Sequence, residues 1–215
     1  MSSPCSVSHL ALLRSGGGSS PAALKELCLQ YGLAPPGEGQ SHFFGDFGRF
    51  RLKWERHGEF DDYTVYRNLI RADDPFAEPA IDALPSGWLG QIEGLLVSAV
   101  HVALVPDGPS WAHRDRIAAA LGAFDLIGAQ ITDGSAAVYT DLHLDAHGYT
   151  RFLLVNQSMN ASLAGRHLQR LIELEVYRMM AMLGFPVARR AAHELNELEI
   201  SLGKLVSRLE SAPAQ

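Results

Sequence analysis

The sequence predicts a mixed α/β fold of the α+β type, in which a mostly antiparallel sheet with flanking helices precedes a long C-terminal helical arm. Three observations predict it. Apolar and polar residues alternate over 50–55, as on a half-buried strand. The run over 95–105 is apolar and rich in β-branched residues, which is typical of a central strand covered on both faces. From Ala161 onward the spacing becomes helical. We therefore predict an α/β domain over residues 1–158 and an arm over residues 159–215.

The beginning of the chain predicts one helix between two irregular segments. Residues 15–20 (SGGGSS) predict a flexible break, and Pro21 then opens a helix over 22–31. The segment GLAPPGEGQ at 32–40 ends this helix, because adjacent prolines and three glycines interrupt regular structure.

A hairpin follows. Phe50–Trp54 is its first strand, Gly58 breaks the run, and the residues from Tyr63 to Leu69 form the return strand. Residues 72–94 are rich in Pro, Asp and Gly, so we expect loops with one helical turn.

Beyond the central strand, the pattern predicts one short helix and three more strands. The helix covers 115–122, and the strands cover 126–131, 136–144 and 149–155. Because most strands follow one another through short turns, we expect a sheet of about six or seven strands that is mostly antiparallel.

The arm combines a crowded apolar helix with a regular leucine spacing. Pro186 is expected to kink or interrupt the helix, since proline lacks the N–H group and crowds the preceding turn. Beyond it, leucines recur at intervals of three and four residues, which is typical of a coiled-coil seam or of a helix packed along another. We therefore expect these leucines to pack on a neighbouring subunit, which would give a homo-oligomer through the arm, or on helices beyond this chain; they are Leu195, Leu198, Leu202, Leu205 and Leu209.

Composition excludes several classes of protein. The net charge of −6 and the pI near 5.8 argue against binding to nucleic acid, which favours a basic surface. Two cysteines, Cys5 and Cys28, are too few for a disulfide framework and indicate a reducing compartment. No apolar run reaches the roughly 20 residues that a membrane helix needs, and the first residues lack the features of a signal peptide.

The first group that suggests chemistry lies near residue 143. On a strand, Asp141, His143 and Asp145 would share one face, and imidazole and carboxylate groups are ligands for a divalent metal ion. Neighbouring side chains on one face of a strand stand about 7 Å apart, however, which is too far for three of them to share one ion without a bulge or turn. A solvated or hydrogen-bonded face is therefore the favoured interpretation, and a metal site is the alternative.

Two further polar groups have a functional and a structural interpretation. The hairpin carries Trp54, Glu55, Arg56, His57, Glu59 and Asp61. They could form an acid/base pair, but an edge hairpin with cross-strand charge pairs around a buried Trp54 is favoured. On the arm, an anion or nucleotide could bind near the helix N-terminus. A polar seam toward the domain or a neighbouring subunit is favoured there; the residues are Arg166, Arg170, Glu173, Tyr177 and Arg178.

Three segments resemble a known family. They are GRHLQRLIELEVYRMMAMLGFPVARR at 165–190, FGRFRLKWERHGEF at 47–60 and TDLHLDAHGYTRFLL at 140–154. Together they resemble domain-of-unknown-function family 3422, a bacterial family described as uncharacterised and predicted to be membrane-anchored. The resemblance implies a mostly helical second half that carries the membrane anchor beyond this chain. It therefore implies that this portion lies on the cytoplasmic face of the inner membrane, and it implies no reaction.

These observations lead to two hypotheses for function. The leading one is a non-enzymatic domain of a membrane-anchored bacterial protein, without a cofactor, that acts in assembly or regulation. The alternative is a divalent-metal-binding domain, either an ion-transport sensor or a metal-dependent hydrolase, that uses Asp141, His143 and Asp145. The layout of an α/β domain followed by a long helix is similar to that of the two-helix magnesium transporters, although layout does not define function.

Overall fold

A computed structural model describes residues 4–14, 21–68, 71, 73–123 and 125–210, and their side chains as far as residue 205. The break predicted at 15–20, the Leu69 position and the Leu209 side chain lie outside this description. The strands are β1 Cys5–Leu13, β2 His42–Asp46, β3 Arg51–Arg56, β4 Phe60–Arg67, β5 Leu95–Pro106, β6 Ile127–Ile131, β7 Ala136–Thr140 and β8 Thr150–Asn156. The α-helices are α1 Ala22–Gln30, α2 Arg114–Leu121 and α3 Ala161–Glu210, and short 3-10 helices cover Ala80–Ala83, Trp88–Gln91 and Pro109–Trp111.

The strands form one mixed sheet in the order β2-β3-β4-β1-β5-β8-β7-β6. Neighbouring strands are antiparallel except β5 and β8, which are parallel. This confirms the predicted fold class and the interior position of β5. The described residues contain eight strands rather than six or seven, because β1 and β2 were not predicted.

β1 lies near the middle of the sheet although it carries several polar side chains. Eight of its nine residues are buried. The hydroxyl groups of Ser6 and Ser8 accept hydrogen bonds from the backbone N–H groups of Ala80 and Ile81, both at 3.0 Å. These polar side chains therefore fix the first 3-10 helix to the sheet while satisfying buried donors.

Helices cover the two faces of the sheet. On one face, Leu24 and Leu27 of α1 join the core around Leu52 and Trp54. Trp54 is only 1% exposed, which confirms the predicted core position. On the other face, α3 buries side chains at intervals of four residues; they are Ala164, Leu168, Ile172 and Val176. The carboxylate of Glu175, which is also buried, accepts a hydrogen bond from Thr150 Oγ1 at 2.6 Å.

α3 continues through Pro186 as one helix, so Pro186 does not interrupt it, and the predicted kink stays a prediction. Proline removes one backbone hydrogen bond, and runs of strong helix formers over 178–183 and 188–192 favour the helix on either side. The chain divides into two compact units, residues 1–176 and 177–215, so the first part of α3 belongs to the same unit as the sheet. The domain boundary predicted between residues 158 and 159 stays a prediction.

Candidate functional site

The residues of the predicted metal site lie in a loop. β7 ends at Thr140, and residues 141–149 form turns before β8, so the strand predicted through residue 144 is too long. Leu142 has a φ of 57°, in the left-handed region, which breaks the alternation of a strand. Asp141, His143 and Asp145 therefore do not share the single strand face that was predicted for them.

Asp145 is held by hydrogen bonds from its own loop and from β8. Its Oδ1 accepts from the backbone N–H groups of His147 at 2.8 Å and Tyr149 at 3.0 Å. Its Oδ2 accepts from Nε and Nη2 of Arg151 at 3.0 and 2.8 Å. Partial burial opposes ionisation, but these donors outweigh it and hold the pKa of Asp145 below its ordinary value. A cation at Asp145 would have to displace or oppose the Arg151 guanidinium group.

Asp141 also bonds to its own loop. Its Oδ1 accepts a hydrogen bond from the backbone N–H of His143 at 3.1 Å, and the His143 side chain is largely exposed. Across the described ranges, no three His, Cys, Asp or Glu side chains are placed to hold one ion together. The metal alternative stays a prediction, and the observed role of both carboxylates is to form turns.

Among the ligand-binding residues predicted on α3, Arg166, Arg170 and Glu173 lie in the first compact unit and are exposed. Tyr177 is the first residue of the second compact unit, and it is 73% exposed. Glu173 accepts a hydrogen bond from Gln169 Nε2 at 2.9 Å. The start of α3 is capped by Asn160, whose Oδ1 accepts from the N–H of Leu163 at 2.9 Å, so one of the donors that would attract an anion is already used. Anion binding at Arg166, Arg170 and Glu173 stays a prediction.

Glu175 of α3 is fully buried beside Thr150, although its neighbours Leu174 and Glu173 are exposed. A buried carboxylate needs hydrogen-bond donors, and the Thr150 hydroxyl group supplies one.

The charged residues of the β3–β4 hairpin separate onto the two faces of the sheet. Arg56 lies directly opposite Asp61, and Arg56 Nε is 3.2 Å from Asp61 Oδ1. Arg14 Nη1 approaches the same oxygen at 2.8 Å. This confirms the predicted cross-strand charge pairing. The predicted edge position is wrong, because β2 pairs with the outer side of β3.

The opposite face carries a cluster that the sequence did not reveal, the His9–Asp62–His57 cluster, in which His9 is buried, Asp62 is partly buried and His57 is exposed. Asp62 lies between two imidazole groups: its Oδ2 is 3.1 Å from His57 Nε2, and its Oδ1 is 3.6 Å from His9 Nε2. His9 Nδ1 is 3.0 Å from Thr64 Oγ1. Within the described part of the chain, His9 Nε2 and Asp62 Oδ1 are buried without a hydrogen-bond partner.

Burial makes the charged forms of Asp62 and His9 unfavourable. It raises the pKa of Asp62 to about 7, against the opposing effect of His57. It lowers the pKa of His9 to about 3, an effect that nearby Lys53 and His57 increase. Near neutral pH the Asp62 carboxyl group can therefore carry a proton, whereas His9 stays neutral. Perturbed groups of this kind are common at functional sites.

One signal in the sequence could have identified the cluster. The segment VSHLALL of β1 is an apolar run with an internal histidine, and so is LLVSAVHVALV of β5. The histidine of β5, His101, is a core histidine with a polar partner: its Nδ1 lies 2.9 Å from Ser8 Oγ, and its ring stacks on Tyr149.

Comparison with known proteins identifies the family of the chain. The family model described as "Protein of unknown function (DUF3422)" matches residues 1–215. The chain belongs to this family. No curated protein and no solved structure matches it. Membership in the DUF3422 family confirms the resemblance and brings no reaction with it.

Within the described ranges, no helix of this DUF3422 protein combines the length and apolar character that a membrane crossing needs. The family resemblance also implied membrane anchoring, and this anchoring stays a proposal.

We predict that divalent ions do not raise the melting temperature of the protein, because Asp145 already binds Arg151 and both carboxylates accept backbone hydrogen bonds. Thermal unfolding is measured with Mg²⁺, Mn²⁺ or Zn²⁺ for the wild type and for the Asp141→Asn plus Asp145→Asn variant. A rise in the wild type that disappears in the double variant would favour the metal-binding alternative.

We predict that Asp62→Asn changes how stability depends on pH. Because the folded-state pKa of Asp62 is raised to about 7, its contribution to stability is full below its unfolded pKa of about 4 and is lost as pH rises to 7. The free energy of unfolding of the wild type should therefore fall relative to Asp62→Asn over this range, by on the order of 1 kcal/mol or more.

Urea unfolding from pH 4 to pH 8 measures this difference. Glu26→Gln, which neutralises an exposed carboxylate on α1, is the matched control and should show no such trend. A constant difference between the wild type and Asp62→Asn at every pH would show that Asp62 ionises normally in the folded protein.

Proposed function

We propose that this DUF3422 chain is a non-enzymatic domain that acts in the assembly or regulation of a bacterial protein and associates with a second copy through the C-terminal part of α3. One observation carries the proposal, a row of exposed leucines on that helix. Between 55% and 67% of each side chain is exposed to solvent; the residues are Leu195, Leu198, Leu202 and Leu205.

The row has the spacing of a coiled-coil seam. Its intervals of three, four and three residues match alternating a and d positions of a heptad. The same alternation continues toward the N-terminus through small residues, which gives a seam of about three and a half heptads over residues 181–205. We call this set the α3 seam; the additional members are Ala181, Gly184, Ala188 and Ala191.

A second copy suits this seam because side chains at a and d positions fit between the side chains of a facing helix with the same spacing. Burying a fully exposed leucine stabilises a structure by about 1.5–3 kcal/mol. Each of these leucines is already about 40% covered on its own helix, so the eight leucines of two copies together could contribute roughly 7–14 kcal/mol. The loss of translational and rotational freedom on association costs about 4–15 kcal/mol. The two ranges overlap, so we expect weak association that depends on concentration.

We also propose that the protein is anchored in the bacterial inner membrane, with this portion on the cytoplasmic side. The family resemblance supports the anchor, and two buried free cysteines, Cys5 and Cys28, agree with a reducing compartment. Protease treatment of spheroplasts and of inverted inner-membrane vesicles from bacteria that express the native gene tests this. Digestion is expected only in the inverted vesicles, and recovery in the soluble fraction would contradict anchoring.

We predict that Leu198→Glu plus Leu205→Glu weakens self-association of the chain by about tenfold or more, because two buried carboxylates per copy would face an apolar seam. Sedimentation equilibrium over a range of protein concentrations measures the association constant, and circular dichroism measures helicity.

The matched control is Asn196→Glu plus Gly203→Glu. It adds the same two charges at the same spacing but away from the α3 seam, and no atom of the described chain lies within 4 Å of a Cβ at Gly203. This control should associate like the wild type. Strictly monomeric behaviour of the wild type and both variants, with equal helicity, would remove the α3 seam as an assembly surface.

A further inference from the structure

The edge strand β6 offers a second surface for another polypeptide. β6 is the last strand of the sheet, and it pairs only with β7 among the described strands. Its sequence is Ile-Gly-Ala-Gln-Ile; the first four residues are exposed and Ile131 is partly exposed. An edge strand presents unpaired N–H and C=O groups on its outer side, and another strand can pair with them.

The two edges of the sheet differ in their protection. β2, at the opposite edge, carries ionisable residues at both ends, His42 and Asp46, which discourage pairing with a second sheet. β6 has no charge, no proline and no bulge in its pairing with β7. Of the two edges, only β6 therefore lacks the usual features that prevent strand addition.

We propose that β6 pairs with β6 of a second copy of this chain, antiparallel and centred on Ala129. In this register Ile127 of each copy lies opposite Ile131 of the other, Gly128 lies opposite Gln130, and Ala129 lies opposite itself. The strand is thus complementary to its own sequence, as an isologous contact requires. This surface is separate from the α3 seam and does not depend on it.

The packing of β6 on β7 leaves the apolar side chains on one face of β6 free to meet those of a strand that is added at its edge. Gly128 lies opposite Tyr139, and a Cβ on Gly128 would lie 2.8 Å from two carbons of the Tyr139 ring. The ring therefore covers the Gly128 side of the strand. The other side presents Ile127, Ala129 and Ile131, which alternate with Gly128 and Gln130 along the strand.

The ends of β6 limit the strength of the contact. Asp125 precedes the strand and Asp133 follows it, and both are exposed. Antiparallel pairing brings the carboxylate of each end toward that of the opposite end in the second copy. This repulsion is screened by salt, so association through β6 should strengthen as ionic strength rises.

Charge substitution at the centre of the contact tests the register. Ala129→Lys and Ala129→Glu are made in the Leu198→Glu plus Leu205→Glu background, so that the α3 seam does not contribute. Each single charge faces itself across the two-fold axis, so each variant alone should associate at least about tenfold more weakly than the background protein. An equimolar mixture should regain association, because lysine then faces glutamate.

Sedimentation equilibrium of the background protein, of each variant and of the mixture gives the result, and circular dichroism shows that the variants are folded. Restoration in the mixture supports the pairing of β6 with itself at Ala129. A background protein that stays monomeric at high concentration and high salt, or a mixture that associates no better than its components, would overturn the proposal. Neither result would affect the α3 seam, which the leucine variants test separately.

Discussion

The pairing of β1 with both β4 and β5 joins the two parts of the sheet. On one side of β1 lies the antiparallel set β2-β3-β4, and on the other lies the set that contains the parallel pair β5-β8. β1 provides backbone hydrogen bonds to both sets, and eight of its nine residues are buried. Every polar side chain of β1 must therefore find a partner within the sheet or on the elements that cover it.

That requirement explains the buried polar groups near the centre of the molecule. Ser6 and Ser8 accept the N–H groups of a 3-10 helix on one face, while His9 contacts Thr64 and approaches Asp62 on the other. The first arrangement satisfies its donors and acceptors. The second leaves one nitrogen and one oxygen 3.6 Å apart without a hydrogen bond, and protonation of Asp62 to its neutral form lowers the cost of burying it.

The same polar residues explain why only part of the fold could be predicted from the sequence. β3 and β5 were predicted because each has a clear pattern, an alternation in one and an apolar run in the other. β1 was missed because Ser6, Ser8 and His9 interrupt its apolar run, and β2 because Phe43 and Phe44 place aromatic residues on both faces. α3 continues through Pro186 between two runs of strong helix formers, 178–183 and 188–192, which a single-residue rule does not consider.

The candidate site was less predictable for a different reason. Alternation along a strand indicates which face a side chain occupies, but the neighbour across the sheet depends on pairing between distant segments. His9 and Thr64 are separated by 55 positions, and only the register of β1 on β4 brings them together. The Asp141–Asp145 loop shows the opposite case. There, local hydrogen bonds of aspartate to its own backbone prevented the strand that the alternation predicted.

The central position of β1 also affects how the protein can fold during synthesis. Cys5 pairs with Leu104, so the ribosome must release about a hundred residues after β1 before β5 can complete the middle of the sheet. Until then β1 can pair only with β4 and its other edge stays open. The nascent chain therefore exposes an apolar strand edge for most of the translation of this domain, and an open edge of this kind favours aggregation.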